Sequence, residues 1–271
     1  MEFSQGWDSL AVLIDDRWVE RRPRRPDVAD QLRRETRLLP WLAPRLPLAV
    51  PVPAVVGESP LVVRHALVPG AAIESPTAEH GLAIGAFLRA LHGSPADDAM
   101  RHGLPTAAET RDDRAATVRR FRAEVVPMVP ADRRARALAI LDAAQDLPAD
   151  TVVHGDLGPE HILVTGDHVT GDHVTGDHVT GDHVTGVIDF GDTHLGDAAI
   201  DLAWPLYGAP AAFATAVATA YGVTDALRRR ALIWHQLGPW HEVTYGADID
   251  DPETVRSGLA GVLDRLDLTA D

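Results

Sequence analysis

The 271-residue sequence contains no cysteine, no lysine and no asparagine. Without cysteine there is no disulfide framework, no thiolate nucleophile and no Cys-ligated zinc site. Without lysine all 25 basic residues are arginines, so any grip on phosphate must come from guanidinium groups. Without asparagine, a role that usually falls to its side chain must be filled by another residue type. Long hydrophobic runs are also missing. The first ten residues, MEFSQGWDSL, carry acids where an export signal needs a basic segment and an apolar run. The most apolar stretch, APAAFATAVATAY at residues 209–221, is shorter than the roughly 20 residues that span a bilayer, and it reads as a buried helix. A cytoplasmic location without a membrane partner is therefore expected. Positive charge is scarce: 40 acidic against 25 basic residues give a formal charge of -15, which argues against tracking nucleic-acid phosphates and favours cationic or metal-bound partners.

What is present divides into two parts. Two extended runs flank an Asp-Asp turn in LAVLIDDRWVERRP, and two short β-branched runs, LAVPVPAVVG and PLVVRHALV, are broken by Pro and Gly. Between them DVADQLRRETRLLPWL is helical, with Val28, Leu32 and Leu39 on one stripe. Glu35 falls on that same stripe, and a carboxylate facing a core requires a cationic partner, expected from a neighbouring strand. After VPGAAI the chain turns mainly helical. GLAIGAFLRALHG aligns Ile84, Phe87, Leu88 and Leu91 and ends at Gly93; DDPETV opens a last helix through Val255, Leu259, Val262 and Leu266. An α+β protein with a small β-rich lobe over residues 1–68 and a larger helical lobe over 69–271 is predicted.

The chemistry concentrates in TVVHGDLGPEHILV and TGVIDFGDTHLGDAAIDLAW, two apolar β-like runs that end in acids. They bring Asp156 and Asp189 toward one point, and paired carboxylates near a histidine suit a divalent cation beside a general base. Acids that merely cap turns are the competing reading.

These segments resemble the aminoglycoside and macrolide phosphotransferases, antibiotic kinases with a two-lobed protein-kinase-like fold. HGDLGPEH resembles their catalytic loop and VIDFGD their metal-binding segment. GWDS resembles the nucleotide loop, WVERRPRR the basic strand, LRRETRLLPWL the Glu-bearing helix, LVPG the hinge and LRALH the first helix of the large lobe. The resemblance implies γ-phosphoryl transfer from ATP or GTP, with Mg2+, to an antibiotic hydroxyl. Asp156 is then the catalytic base, and Asp189 a metal ligand. The second ligand position holds His161 where most of the family has asparagine; the macrolide kinases resemble it in this, although Mg2+ prefers oxygen. Arg21, with Arg22 as rival, grips phosphate and pairs with Glu35. Ser9 covers the phosphates, and hinge backbone at His65, Ala66 and Leu67 meets the nucleobase. His154, Asp197 and Asp201 brace the loop.

On the acceptor side the resemblance places the antibiotic pocket among the C-terminal helices, and Asp192, Trp240 and Glu242 are the candidates for contact. An acidic C-terminal region makes a cationic aminoglycoside the first expectation, with macrolides and cationic peptide antibiotics as alternatives. A metabolic kinase of the same fold and a pseudokinase or binding module are the competing functions. No protein-kinase G-x-G-x-x-G loop occurs near the N-terminus.

One feature belongs to none of this: the pentapeptide TGDHV occurs four times at residues 165–184. One copy reads as an ordinary hairpin turn and three as a tandem insertion, because removing 15 residues shortens the separation of Asp156 and Asp189 from 33 positions to 18 and leaves a short connection. A repeat of five cannot keep one face toward a core when strands alternate with period two. It is expected to protrude into solvent, either as a neutral duplication or as a zinc or nickel site using His168, His173, His178 and His183.

Overall fold

The computed structural model describes residues 2–3, 9–166 and 182–269. Gly6, Trp7 and Asp8 of GWDS, and residues 167–181 with His168, His173 and His178, lie outside the described residues.

The small lobe is built on a five-stranded sheet: β1 (Glu2–Phe3), β2 (Ser9–Ile14), β3 (Trp18–Pro23), β4 (Ala54–Glu58) and β5 (Leu61–Ala66), in spatial order β1-β2-β3-β5-β4 and antiparallel throughout. Asp15 and Asp16 both have positive φ, 50° and 51°, the left-handed pair that lets a tight turn follow the strand twist between β2 and β3. The LAVPVP segment expected to be extended is not a strand of this sheet. Ala49 instead makes an isolated bridge to Gly186 in the large lobe, since the prolines on either side of Val52 remove the donors that a ladder needs.

Helix α1 (Pro26–Leu42) packs on the sheet through Val28 and Leu32, which form a core with Leu61 and Val63. Its second half does something the sequence did not announce. Leu38, Leu39 and Leu42 belong to the main core of the large lobe, with Phe87, Leu88 and Phe190. One helix is therefore rooted in both lobes, with Glu35 between the two apolar patches.

The large lobe contains α2 (Ala78–His92), α3 (Ala96–Arg101), α4 (Ala107–Glu124), α5 (Arg134–Gln145), α6 (Ala203–Tyr207), α7 (Ala211–Tyr221), α8 (Asp225–Asp248) and α9 (Pro252–Arg265). Strand β6 (Ala71–Ala72) pairs with β8 (Ile162–Thr165), which forms a hairpin with β9 (His183–Val187); β7 (Thr151–Val153) pairs with β10 (His194–Gly196). Helix α7 buries one face only, through Phe213, Ala216 and Val217, rather than being enclosed on all sides. Asp251 caps α9, accepting from Glu253 N at 3.0 Å and from the Thr254 hydroxyl at 2.7 Å. Among the described residues no helix is long and apolar enough to cross a membrane.

Candidate active site

β7 runs into the loop carrying Asp156, and β9 runs into the loop carrying Asp189. A single buried residue, His154, ties the loops together. Its Nδ1 accepts from Asp156 N at 3.3 Å and its Nε2 donates to Ile188 O at 2.9 Å, so both acids hang from one imidazole. Asp201 holds the loop from behind, accepting from His154 N at 2.7 Å and Gly155 N at 2.9 Å. Burial works to raise the Asp201 pKa, but the His92 hydrogen bond and the Gly155 N–H outweigh it and hold the carboxyl below its ordinary value. Asp197 accepts from Arg230 Nε and from Trp234 Nε1, which fixes the turn before α6.

The Asp156 and Asp189 carboxylates are both exposed, and His161 stands between them. Its Nδ1 donates to Asp156 O at 2.7 Å, which leaves the Nε2 lone pair facing Asp189 Oδ2 at 3.7 Å. Two acceptors opposed at that distance suit a cation between them, and Asp189 is held in a left-handed conformation, φ 65°, that few non-glycine residues adopt. Among the described residues no group of three or more His, Asp or Glu could hold a metal ion unaided. His161 and Asp189 fit Mg2+ as a pair that leaves the other coordination positions to phosphate and water.

Above this pair Arg21 is fixed by two hydrogen bonds. Nη1 donates to Glu35 Oε2 at 2.6 Å and Nε to Ser9 Oγ at 3.1 Å, leaving Nη2 free of both bonds. The expected partner of Glu35 is thus Arg21. Arg22 lies more exposed and faces Glu20 at 3.7 Å. Burial pushes Glu35 up to about 7 against the lowering effect of Arg21, with the Asp189 and Asp192 charges adding to the rise, and its Oε1 has no hydrogen-bond partner. Ser9 is 5% exposed, and its hydroxyl accepts from Arg21 Nε. At the hinge, Leu67 N donates to Arg17 O at 2.8 Å and Ala66 O meets His65 Nδ1 at 2.9 Å, so two of the backbone groups expected to read a nucleobase are already paired.

Below Asp156 opens a cleft of about 1160 Å3. Its walls include Asp113 and Arg114 from α4, Asp192, and the Trp234, His241 and Tyr245 face of α8. Desolvation by the surrounding cleft wall lowers the His241 pKa below the ordinary imidazole value against the pull of the Asp156 charge. The expected acceptor residues divide here. Asp192 lines the cleft. Trp240 does not: it is fully buried against Phe121 in the second hydrophobic core. Glu242 is exposed but outside the cleft wall. The physical reason is helical phase. Trp234, Gly238, His241 and Tyr245 recur at three to four residues and share one face of α8, while Trp240 and Val243 lie on another. A helical-period reading of WHQLGPWHEVTY contained that signal. The C-terminal acids are also employed elsewhere, Asp248 by Arg120 at 2.6 Å and Asp251 by the α9 cap.

A two-lobed fold with an Arg-Glu pair above two loop acids, and a cleft beneath, defines a kinase-like phosphotransferase of small molecules. The chain belongs to the phosphotransferase enzyme family (APH), whose sequence model matches residues 1–233. Solved structures agree on the fold. The GDP and kanamycin complex of APH(2'')-IIia is similar at a TM-score of 0.81 and 20% identity, over 98% of this chain and 92% of that one. The macrolide 2'-phosphotransferase MphH from Brachybacterium faecium matches at 0.72 and 24%, over 96% and 90%. The gentamicin complex of APH(2'')-IIa matches at 0.69 and 19%, over 99% and 91%. No curated protein matches the sequence.

Proposed function

We propose that this kinase transfers the γ-phosphoryl group of ATP or GTP to a hydroxyl of an antibiotic, and so confers resistance to it. The observation that carries this reading is the position of Asp156: an exposed carboxylate at the mouth of a large cleft, with His161 and Asp189 immediately beside it. Asp156 orients the acceptor hydroxyl and takes its proton. Arg21, already held by Glu35 and Ser9, offers Nη2 to the nucleotide phosphates. His161 and Asp189 would hold Mg2+, which when bound neutralises charge on the phosphates. The Glu35 anchor and the His154 clamp hold these groups in fixed mutual positions, which is the main catalytic resource when the transition state is loose.

For the acceptor, a cationic aminoglycoside is supported by the three carboxylates of the cleft wall, Asp113, Asp156 and Asp192, and by the aminoglycoside complexes of proteins with this fold. A second reading, a macrolide, is favoured by the rest of the wall. Trp204, Trp234 and Tyr245 give it broad apolar faces, and Arg34, Arg114 and Arg265 offset the acids. An aromatic wall with balanced charge suits a large apolar body with a single amine better than a polycation. Comparing kcat/KM for aminoglycosides, macrolides, cationic peptide antibiotics and small amino alcohols decides among them. Turnover confined to amino alcohols would replace the antibiotic reading with a metabolic kinase.

A further inference from the structure

Behind the catalytic loop lies a buried chain of hydrogen bonds that begins with two glycines. Gly81 and Gly85 sit one turn apart on α2, and a Cβ on either would collide with α7, against Phe213 and Ala216 for the first and Val217 and Ala220 for the second. Side chains this small let the two helices run side by side in close contact. Their C-terminal residues, His92 of α2 and Tyr221 of α7, therefore meet: His92 Nδ1 lies 2.8 Å from the Tyr221 hydroxyl. The other ring nitrogen, Nε2, lies 3.0 Å from Asp201 Oδ2. His92 and Asp201 side chains are 5% and 0% exposed.

Asp201 is the acid that grips the catalytic loop, through His154 N and Gly155 N. That grip sets an unusual backbone: Gly155 has φ 91°, and a Cβ there would collide with Asp192 O. Two successive N–H groups turned toward one buried carboxylate stay so only while the carboxylate keeps its charge, and the charge is stable at zero exposure only if its oxygens are satisfied. Oδ2 has two donors, His154 N and His92 Nε2. An Nε2–H committed to Asp201 makes Nδ1 of the neutral ring an acceptor, and the Tyr221 hydroxyl donates to it.

We propose that His92 is a positioning residue for phosphoryl transfer: with its ring set by Tyr221, it completes the donor shell of Asp201 and so holds the backbone that carries Asp156. The proposal rests on Asp156 acting as the base. It concerns a residue that touches neither nucleotide nor acceptor, so its effect falls on kcat. A hydrogen bond to a buried charge is worth on the order of a tenfold to hundredfold factor.

The test compares His92→Leu, which keeps bulk and removes the donor, with His92→Gln, whose amide can reach the same oxygen. Steady-state kinetics are read beside nucleotide affinity and thermal unfolding, with Asp156→Asn as a control for the base itself. In His92→Leu, kcat is expected to fall about tenfold or more while both KM values and nucleotide affinity stay within about twofold. His92→Gln should recover most of the loss. Tyr221→Phe, which removes one oxygen, should lower kcat several-fold with KM unchanged, and it decides the matter if His92→Leu does not fold. Wild-type kcat in His92→Leu would overturn the proposal. So would equal impairment of both His92 variants with a matching loss of stability, which is the mark of a packing role. Full turnover in Asp156→Asn would remove the base reading, a failure distinguishable from either of these.

Discussion

Single residues carry the proposed phosphate end of this site, and lysine's absence shows how. One lysine nitrogen would have to divide itself between a carboxylate, a hydroxyl and a phosphate. Arg21 serves Glu35 and Ser9 from two nitrogens and retains a third. The arrangement leaves Glu35 buried with one oxygen unsatisfied and its pKa pushed up to about 7. Folding thus favours the protonated acid. The associated stability is fully present below the ordinary value of 4.5 and is lost as pH rises through about 7. Chemical denaturation should therefore show wild type losing up to about 3 kcal/mol relative to Glu35→Gln across that window. A difference independent of pH would mean that Glu35 stays ionised throughout. This pair was legible in the sequence because a lone acid on an apolar stripe has to be neutralised. Trp240 was misread because neighbours in sequence were treated as neighbours in space, although on a helix His241 faces about 100° away from it.

Among the elements, the β8–β9 hairpin explains how a tandem repeat can be carried without disturbing the site. Thr165 pairs with His183 and Val164 with Val184, so the described strands close immediately around the insertion. Gly166 and Asp182 are already neighbours, since a Cβ on Gly166 would touch the Asp182 carboxylate. Because the copies are identical, deleting residues 170–184 gives the same chain as deleting 167–181. Either leaves a Gly-Asp pair as a two-residue turn with glycine first, a favoured hairpin connection. The shortened protein is expected to keep its cooperative unfolding, and its kcat and KM should stay within about twofold of wild type. A folded but inactive deletion would bring the repeat into the mechanism. The strands around the turn were readable from alternation and spacing. The double duty of α1 was not: its apolar stripe shows which face is buried, but not that Val28 and Leu38 are buried in different lobes.

At the scale of the whole molecule, α1 fixes the Arg21–Glu35 pair over the two loop acids by rooting one helix in both cores. The two-lobed order was legible because β-rich and helical segments separate cleanly along the chain, and the loop acids because each ends an apolar run. The cleft wall was hidden, since it is assembled from α4, the Asp192 loop, α6 and α8, far apart in sequence. Phosphoryl transfer by wild type and Asp156→Asn, measured with nucleotide binding in the same preparations, bears most directly on the proposed chemistry. Wild type should phosphorylate an antibiotic acceptor, and the variant should lose roughly 10² to 10⁴ in turnover while binding nucleotide as before. Undiminished transfer by the variant, or no transfer to any acceptor by folded, nucleotide-bound wild type, would contradict the assignment of Asp156 as the base of an antibiotic kinase.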